Sequence, residues 1–240
     1  MMNSIVERLK EVRNSIASAC LQSNRRPESV QLLAVSKTKP ADKIRELYLA
    51  GQRHFGENYL QEALEKQQEL ADLSDLVWHF IGPIQSNKTR DIAANFSWVQ
   101  SIDRLKIARR LNDQRATDSV PLNILIQINI DDEKSKAGIH PEQLPAFAAD
   151  LQEFPQLTLR GLMTLPAADA SSAQQQRSLQ AMQRLYSELA SQYPTVDTLS
   201  MGMSNDLEAA INAGSTMVRI GTALFGARDK KGVTNDNASA

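Results

Sequence analysis

The chain has 240 residues, 42% of them hydrophobic and 23% charged, which suits one large globular core more than a disordered or fibrous chain. Twenty-seven basic against 28 acidic side chains leave a formal charge of −1, and only 5% of residues are aromatic. No global field draws such a chain to nucleic acid or an anionic membrane, and base-stacking platforms are poorly supplied.

The N-terminal stretch MMNSIVERLKEVRNSI mixes charged and apolar residues and lacks the apolar core of a signal peptide. No segment reaches the roughly 18 apolar residues that a membrane helix requires. Ile5, Leu9, Val12 and Ile16 recur at helical spacing, predicting a helix over 4–21 capped by Asn3 or Ser4. Cys20 continues that stripe, so it reads as a packing residue. A single cysteine excludes an internal disulfide and fits a reducing cytoplasm.

After SNRRPES, the run VQLLAV (30–35) predicts the first buried strand, and a helix follows Pro40 until Gly51. Further strands are predicted at 54–55, 77–81, 98–102, 123–129, 157–163, 198–201 and 217–220. Helical patterns lie between them at 59–70, 87–95, 104–113, 141–152, 172–192 and 206–213. Eight strands, each followed by a helical stretch, predict a single α/β domain. It is a (β/α)8 barrel with an extra N-terminal helix over 1–229, its strands parallel and apolar. A doubly wound open sheet is the alternative. Residues 230–240, KGVTNDNASA with its preceding lysine, are polar and expected to be disordered.

Barrel active sites lie at the C-terminal ends of the strands. Those ends collect Ser36-Lys37, Gly56-Glu57-Asn58, Gly82-Pro83, Ser101-Ile102-Asp103, Asn129, Met163, SMGMSND (200–206) and Gly221-Thr222. The loops after strands seven and eight are where such barrels bind phosphate, with Ser204, Gly221 and Thr222 as donors. The plainer alternative is that Ser204 and Asn205 cap the next helix. Lys37 directly follows the first strand, where partial burial would lower its amine pKa and make it a nucleophile for an aldehyde or ketone. Lys39 shares its strand parity but lies nearer the proline turn. Arg219, inside strand eight, needs a hydrogen-bond acceptor. That partner is either a carboxylate, Asp206 or Glu208, or a ligand atom such as an unprotonated ring nitrogen. The three histidines, 54, 79 and 140, have no metal-ligand spacing, and no Gly-x-Ser-x-Gly turn appears. Lys134 and Lys136 in EKSKAG are loop lysines that could approach the mouth.

These residues resemble the pyridoxal phosphate homeostasis protein family, small fold-type-III binders of pyridoxal phosphate. The segments that carry the resemblance are LLAVSKTKP (32–40), FGENYLQE (55–62), WHFIGPIQSNK (78–88), EKSKAG (133–138), GLMTL (161–165) and LSMGMSNDLEAAINAGSTMVRIGTALFGAR (199–228). Leu207 and Ala137 depart mildly from the motifs. The resemblance implies pyridoxal 5′-phosphate held as a Schiff base on Lys37, with phosphate contacts near Ser204, Gly221 and Thr222. It also implies Arg219 facing the pyridine nitrogen and Asn58 at the rim, with His79 and Met163 as further candidates for the lining. The barrel resembles the N-terminal domain of alanine racemases, which add a β-domain and a partner's catalytic tyrosine. Here no β-rich segment follows strand eight, and Tyr48, Tyr59, Tyr186 and Tyr193 all fall in helical patterns.

The expected function is binding of pyridoxal 5′-phosphate in intracellular vitamin B6 homeostasis, affecting amino-acid and keto-acid metabolism. No catalytic residue, metal or robust turnover is expected. The expected protein is a cytoplasmic monomer whose partners are the small-molecule cofactor and, transiently, apo-enzymes that use it. A weak amino-acid racemase or lyase is the second reading. A cofactor-free Schiff-base aldolase is the third.

Overall fold

A computed structural model describes residues 4–133, 137–165 and 170–226, so the polar tail 230–240, Lys134 and Lys136 lie outside the described residues. Helix α1 (Ile5–Gln22) opens on a reciprocal cap. Ser4 Oγ accepts the Glu7 N–H at 3.2 Å and Glu7 Oε2 accepts the Ser4 N–H at 2.7 Å. These two bonds satisfy donors that a bare helix start leaves exposed. The predicted apolar stripe, Cys20 included, is buried.

The eight strands are β1 (Gln31–Val35), β2 (His54–Glu57), β3 (Val77–Phe80), β4 (Trp98–Ile102), β5 (Leu122–Ile128), β6 (Leu157–Thr164), β7 (Thr198–Ser200) and β8 (Met217–Ile220). Helices follow each of them: α2 (Ala41–Leu49), α3 (Leu60–Glu69), α4 (Thr89–Asn95), α5 (Leu105–Gln114), α6 (Leu144–Leu151), α7 (Ser172–Gln192), α8 (Leu207–Asn212) and α9 (Thr222–Phe225). Every pairing is parallel and the order runs β1 to β8 around a closed barrel. Closure is made by β8 on β1, with Gln31 opposite Met217 and Ala34 opposite Ile220. An open doubly wound sheet has no such pairing, so that alternative is excluded.

The main core lies between strands and helices, while Trp98, Leu125 and Met163 form a separate cluster with Val77 inside the barrel. Burial of apolar area in these two layers stabilises the fold and leaves the strand ends free to carry chemistry. One expectation needs correction. The barrel interior is not uniformly apolar, because His54, His79, Gln100, Ser200 and Arg219 project into it and bond to one another.

Candidate functional site

At the C-terminal rim, a cavity of about 610 Å³ is lined by Val35, Lys37, Asn58, Ile81, Met163, Arg219 and the loops after β7 and β8. Lys37, Asn58, Ser204, Arg219, Gly221 and Thr222, drawn together from sequence alone, all border this one space. A hollow of about 550 Å³ lies outside the barrel between α1 and α8, and its lining contains neither lysine nor arginine.

Lys37 stands in a turn directly after β1, in which the Lys39 N–H donates to the Ser36 carbonyl at 3.1 Å. The strand-parity comparison of Lys37 with Lys39 therefore fails, since neither is on the strand. Lys37 reaches the cavity lining and Lys39 does not. Thr38 between them has φ +62°, a left-handed conformation that a β-branched residue rarely adopts.

Arg219, on β8, is 4% exposed. It donates from Nη1 to Ser200 Oγ at 2.8 Å and from Nη2 to the Thr164 carbonyl at 2.7 Å. Neither acceptor is a carboxylate. Asp206 supports the charge from a distance without bonding to it, and burial draws the guanidinium pKa down to about 10. The expectation of a direct bond to Asp206 or Glu208 is not met.

Asn58 follows β2, and its Oδ1 is buried without a partner. Gly82, after β3, allows its chain to pass against that turn. A Cβ there would stand 2.1 Å from the Asn58 carbonyl oxygen. Across the mouth, Gly202 takes φ +97° as the chain leaves β7, and the Met203 N–H donates to Asp206 Oδ1 at 2.6 Å. Asp206 occupies the cap position of α8, so Ser204 and Asn205 are not helix caps. They line the cavity instead.

His79 does not border the cavity; it lies deeper in a polar chain that begins at Arg219. A guanidinium only donates, so Ser200 must accept from it and pass its own proton to Gln100 Oε1, at 2.7 Å. Gln100 Nε2 then donates to His79 Nδ1 at 3.0 Å, and His79 Nε2–H donates to His54 Nδ1 at 3.0 Å. Burial holds His79 well below the ordinary histidine pKa, with His54 adding to the effect, and burial alone lowers His54. Both rings are thus neutral with the proton on Nε2. The sequence reading missed Gln100 and Ser200, whose signal was a polar residue at an alternate position within WVQSI and TLS.

Among the described residues no group of three or more His, Cys, Asp or Glu side chains is arranged to hold a metal, although His54 and His79 do meet. Of the four tyrosines, Tyr48 and Tyr186 lie within helices, while Tyr59 and Tyr193 stand at helix ends. No described helix is long and apolar enough to cross a membrane.

The model of the alanine racemase N-terminal domain matches residues 14–229, the stretch that carries the closed parallel eight-stranded barrel, and this sets the class. Curated relatives narrow the class. The pyridoxal phosphate homeostasis protein of Escherichia coli K12 is 54% identical over 230 residues, covering 95% of this chain and 98% of the relative. That of Pseudomonas aeruginosa is 56% identical over 228 residues, covering 95% and 97%. The chain belongs to the pyridoxal phosphate homeostasis protein family. Among solved structures, PipY of Synechococcus elongatus PCC7942 without PLP is 40% identical, covers 93% of this chain and 100% of its own, and superposes with a TM-score of 0.83. With PLP bound, the same protein gives 0.79. A Clostridium difficile alanine racemase shares the fold, with 15% identity and a TM-score of 0.72 over 96% of this chain and 59% of that one.

Proposed function

We propose that the chain binds pyridoxal 5′-phosphate in the rim cavity and serves intracellular vitamin B6 homeostasis, affecting amino-acid and keto-acid metabolism without robust turnover. The observation that carries this reading is the convergence of Lys37, Asn58, Ser204, Arg219, Gly221 and Thr222 on one cavity. When bound, the cofactor supplies an aldehyde that condenses with a primary amine and a ring that can withdraw electrons.

The residues fit that group. Lys37 offers the only lysine amine among the described lining residues. Ser204, Gly221 and Thr222 offer backbone and hydroxyl donors for a phosphate, on a surface where Gly221 keeps side-chain bulk away. Asn58 Oδ1 is a buried acceptor that lacks a donor. Arg219 keeps its proton at neutral pH, so a ring nitrogen facing it stays an acceptor and electron withdrawal through the ring is weak. Weak withdrawal lowers the power to process amino acids without abolishing it, which supports holding the cofactor. The homeostasis names of the relatives support the same choice.

The same reading makes the protein a cytoplasmic monomer that meets cofactor-requiring apo-enzymes only transiently. Its single buried cysteine supports the cytoplasmic part of this reading.

The test is to add pyridoxal 5′-phosphate to wild type and Lys37→Ala, reduce with borohydride, and map the modified peptide. Wild type is expected to carry the adduct on Lys37 and the variant to carry none at that turn. No adduct on wild-type Lys37 would sink the assignment and favour a carbonyl substrate of the aldolase kind. Robust, saturable amino-acid turnover lost in Lys37→Arg would move the assignment from carrier to racemase or lyase.

A further inference from the structure

Three side chains outside the cavity converge on the backbone that carries Lys37. Glu57 ends β2, while Glu62 and Lys66 stand one turn apart on α3. Lys66 is 5% exposed and Glu57 fully buried. Lys66 Nζ donates to Glu57 Oε1 at 2.7 Å, to Glu62 Oε1 at 2.5 Å and to the Ser36 carbonyl at 2.8 Å. Ser36 Oγ donates to Glu57 Oε1 at 2.6 Å. The Thr38 N–H donates to Glu62 Oε1 at 2.5 Å. Both residues flanking Lys37 are therefore gripped by one charged cluster, and none of its three members lines the cavity.

As a stabilising device such a cluster is inefficient, because removing charges from water carries a large desolvation penalty and a packed apolar group often serves as well. What apolar groups cannot do is bond to a main-chain carbonyl on one side of a residue and a main-chain N–H on the other. Thr38 also needs holding, since a β-branched residue at φ +62° is strained.

The geometry points to Lys66, with Glu57 and Glu62, as positioning residues that hold the 36–39 turn so that the Lys37 amine meets a carbonyl group in the cavity already oriented. This rests on the reading of Lys37 given above. In that condensation the Lys37 Nζ–carbon bond forms and the aldehyde oxygen leaves as water with the two amine hydrogens, with no change of oxidation state. Fixing the amine removes orientational freedom before the bond forms, so loosening the turn slows attachment without touching the surfaces that hold ring and phosphate.

The experiment uses the full chain and compares wild type with Lys66→Met, Glu62→Ala and Glu62→Gln. The timed yield of borohydride-fixed adduct with pyridoxal 5′-phosphate reports attachment. The affinity for pyridoxine 5′-phosphate, which has the same ring and phosphate but an alcohol in place of the aldehyde, reports the rest of the cavity. Hydrogen exchange over residues 36–39 reports the turn itself, without ligand. Lys66→Met and Glu62→Ala are expected to slow attachment by about tenfold or more while pyridoxine 5′-phosphate affinity changes by less than roughly threefold. Both are expected to speed exchange at the turn. Glu62→Gln, which keeps the acceptor for Thr38, is expected to behave like wild type. Unchanged attachment and exchange, or an affinity that falls in step with the rate, would overturn the inference. Should Lys66→Met fail to fold, Glu62→Ala decides alone, because it removes a partly exposed side chain and adds a strong helix former. A wild type that never attaches pyridoxal 5′-phosphate would refute the cofactor reading instead, and the exchange rates would still judge the hold on the turn.

Discussion

Ser200 is the residue on which the buried polar chain depends most. Its hydroxyl accepts from Arg219 and donates to Gln100, and it is fully buried. Ser200→Ala would leave a guanidinium N–H without its acceptor and an amide oxygen without its donor. We expect a loss of about 3 kcal/mol in urea unfolding, since a buried unsatisfied group costs about 1–3 kcal/mol and more when charged. A loss no larger than that of an exposed Ser→Ala change would show that the chain is not a connected unit. The chain was poorly legible in the sequence. Arg219 drew attention because an arginine inside a strand is unusual, whereas Gln100 and Ser200 sit in strands whose polar positions pass for ordinary alternation. Only closure of the barrel brings β2, β3, β4, β7 and β8 around a common axis.

Among the elements, those that alternate apolar runs with helical stripes were legible almost to the residue: β4, β8 and α7 have the bounds that the sequence predicts. The strand ends were legible as a set because glycines and small polar residues cluster there. The clamp on Lys37 was not legible. Glu62 and Lys66 are spaced as an ordinary exposed i,i+4 pair, and their burial is set by the β1 turn that α3 covers, which local sequence does not announce. The left-handed Thr38 is a similar case, fixed by distant partners against its own preference. At the β3 end, Gly82→Ala is expected to displace the Asn58 turn, because a Cβ at 2.1 Å from a backbone oxygen cannot be accommodated by side-chain motion. The expected outcome is at least a severalfold weaker affinity for pyridoxine 5′-phosphate, measured by calorimetry on folded variant. Wild-type affinity would mean that the turn is not part of the binding surface.

The molecule as a whole carries two neutral imidazoles in its barrel, and this sets a pH dependence. Burial lowers the pKa of both His54 and His79, while in the unfolded chain a histidine titrates near about 6.5. Below that value the unfolded chain binds more protons than the folded one, so stability falls as the pH falls. Glu57 acts in the opposite sense. Its pKa is raised by burial, partly offset by Lys66, so its contribution is present in acid and lost as the pH rises through the folded value. Urea unfolding at about pH 7.5 and about pH 5.5 brackets the unfolded-histidine value, and a histidine variant isolates the imidazole share of the change. His79→Gln retains one acceptor and one donor for the chain, and we expect it to lose less stability between the two pH values than wild type does. Equal losses would assign the pH dependence to other groups.

The partners of Arg219 have a consequence for any anion that enters the cavity. A hydroxyl and a carbonyl do not titrate, so the positive end on the cavity wall keeps the same charge through the physiological pH range. No bonded carboxylate can take up a proton and release it. The protein thus presents a constant reference potential. Any change in occupancy with acidity must then originate in the ligand's own phosphate and ring, or in the lysine that meets it.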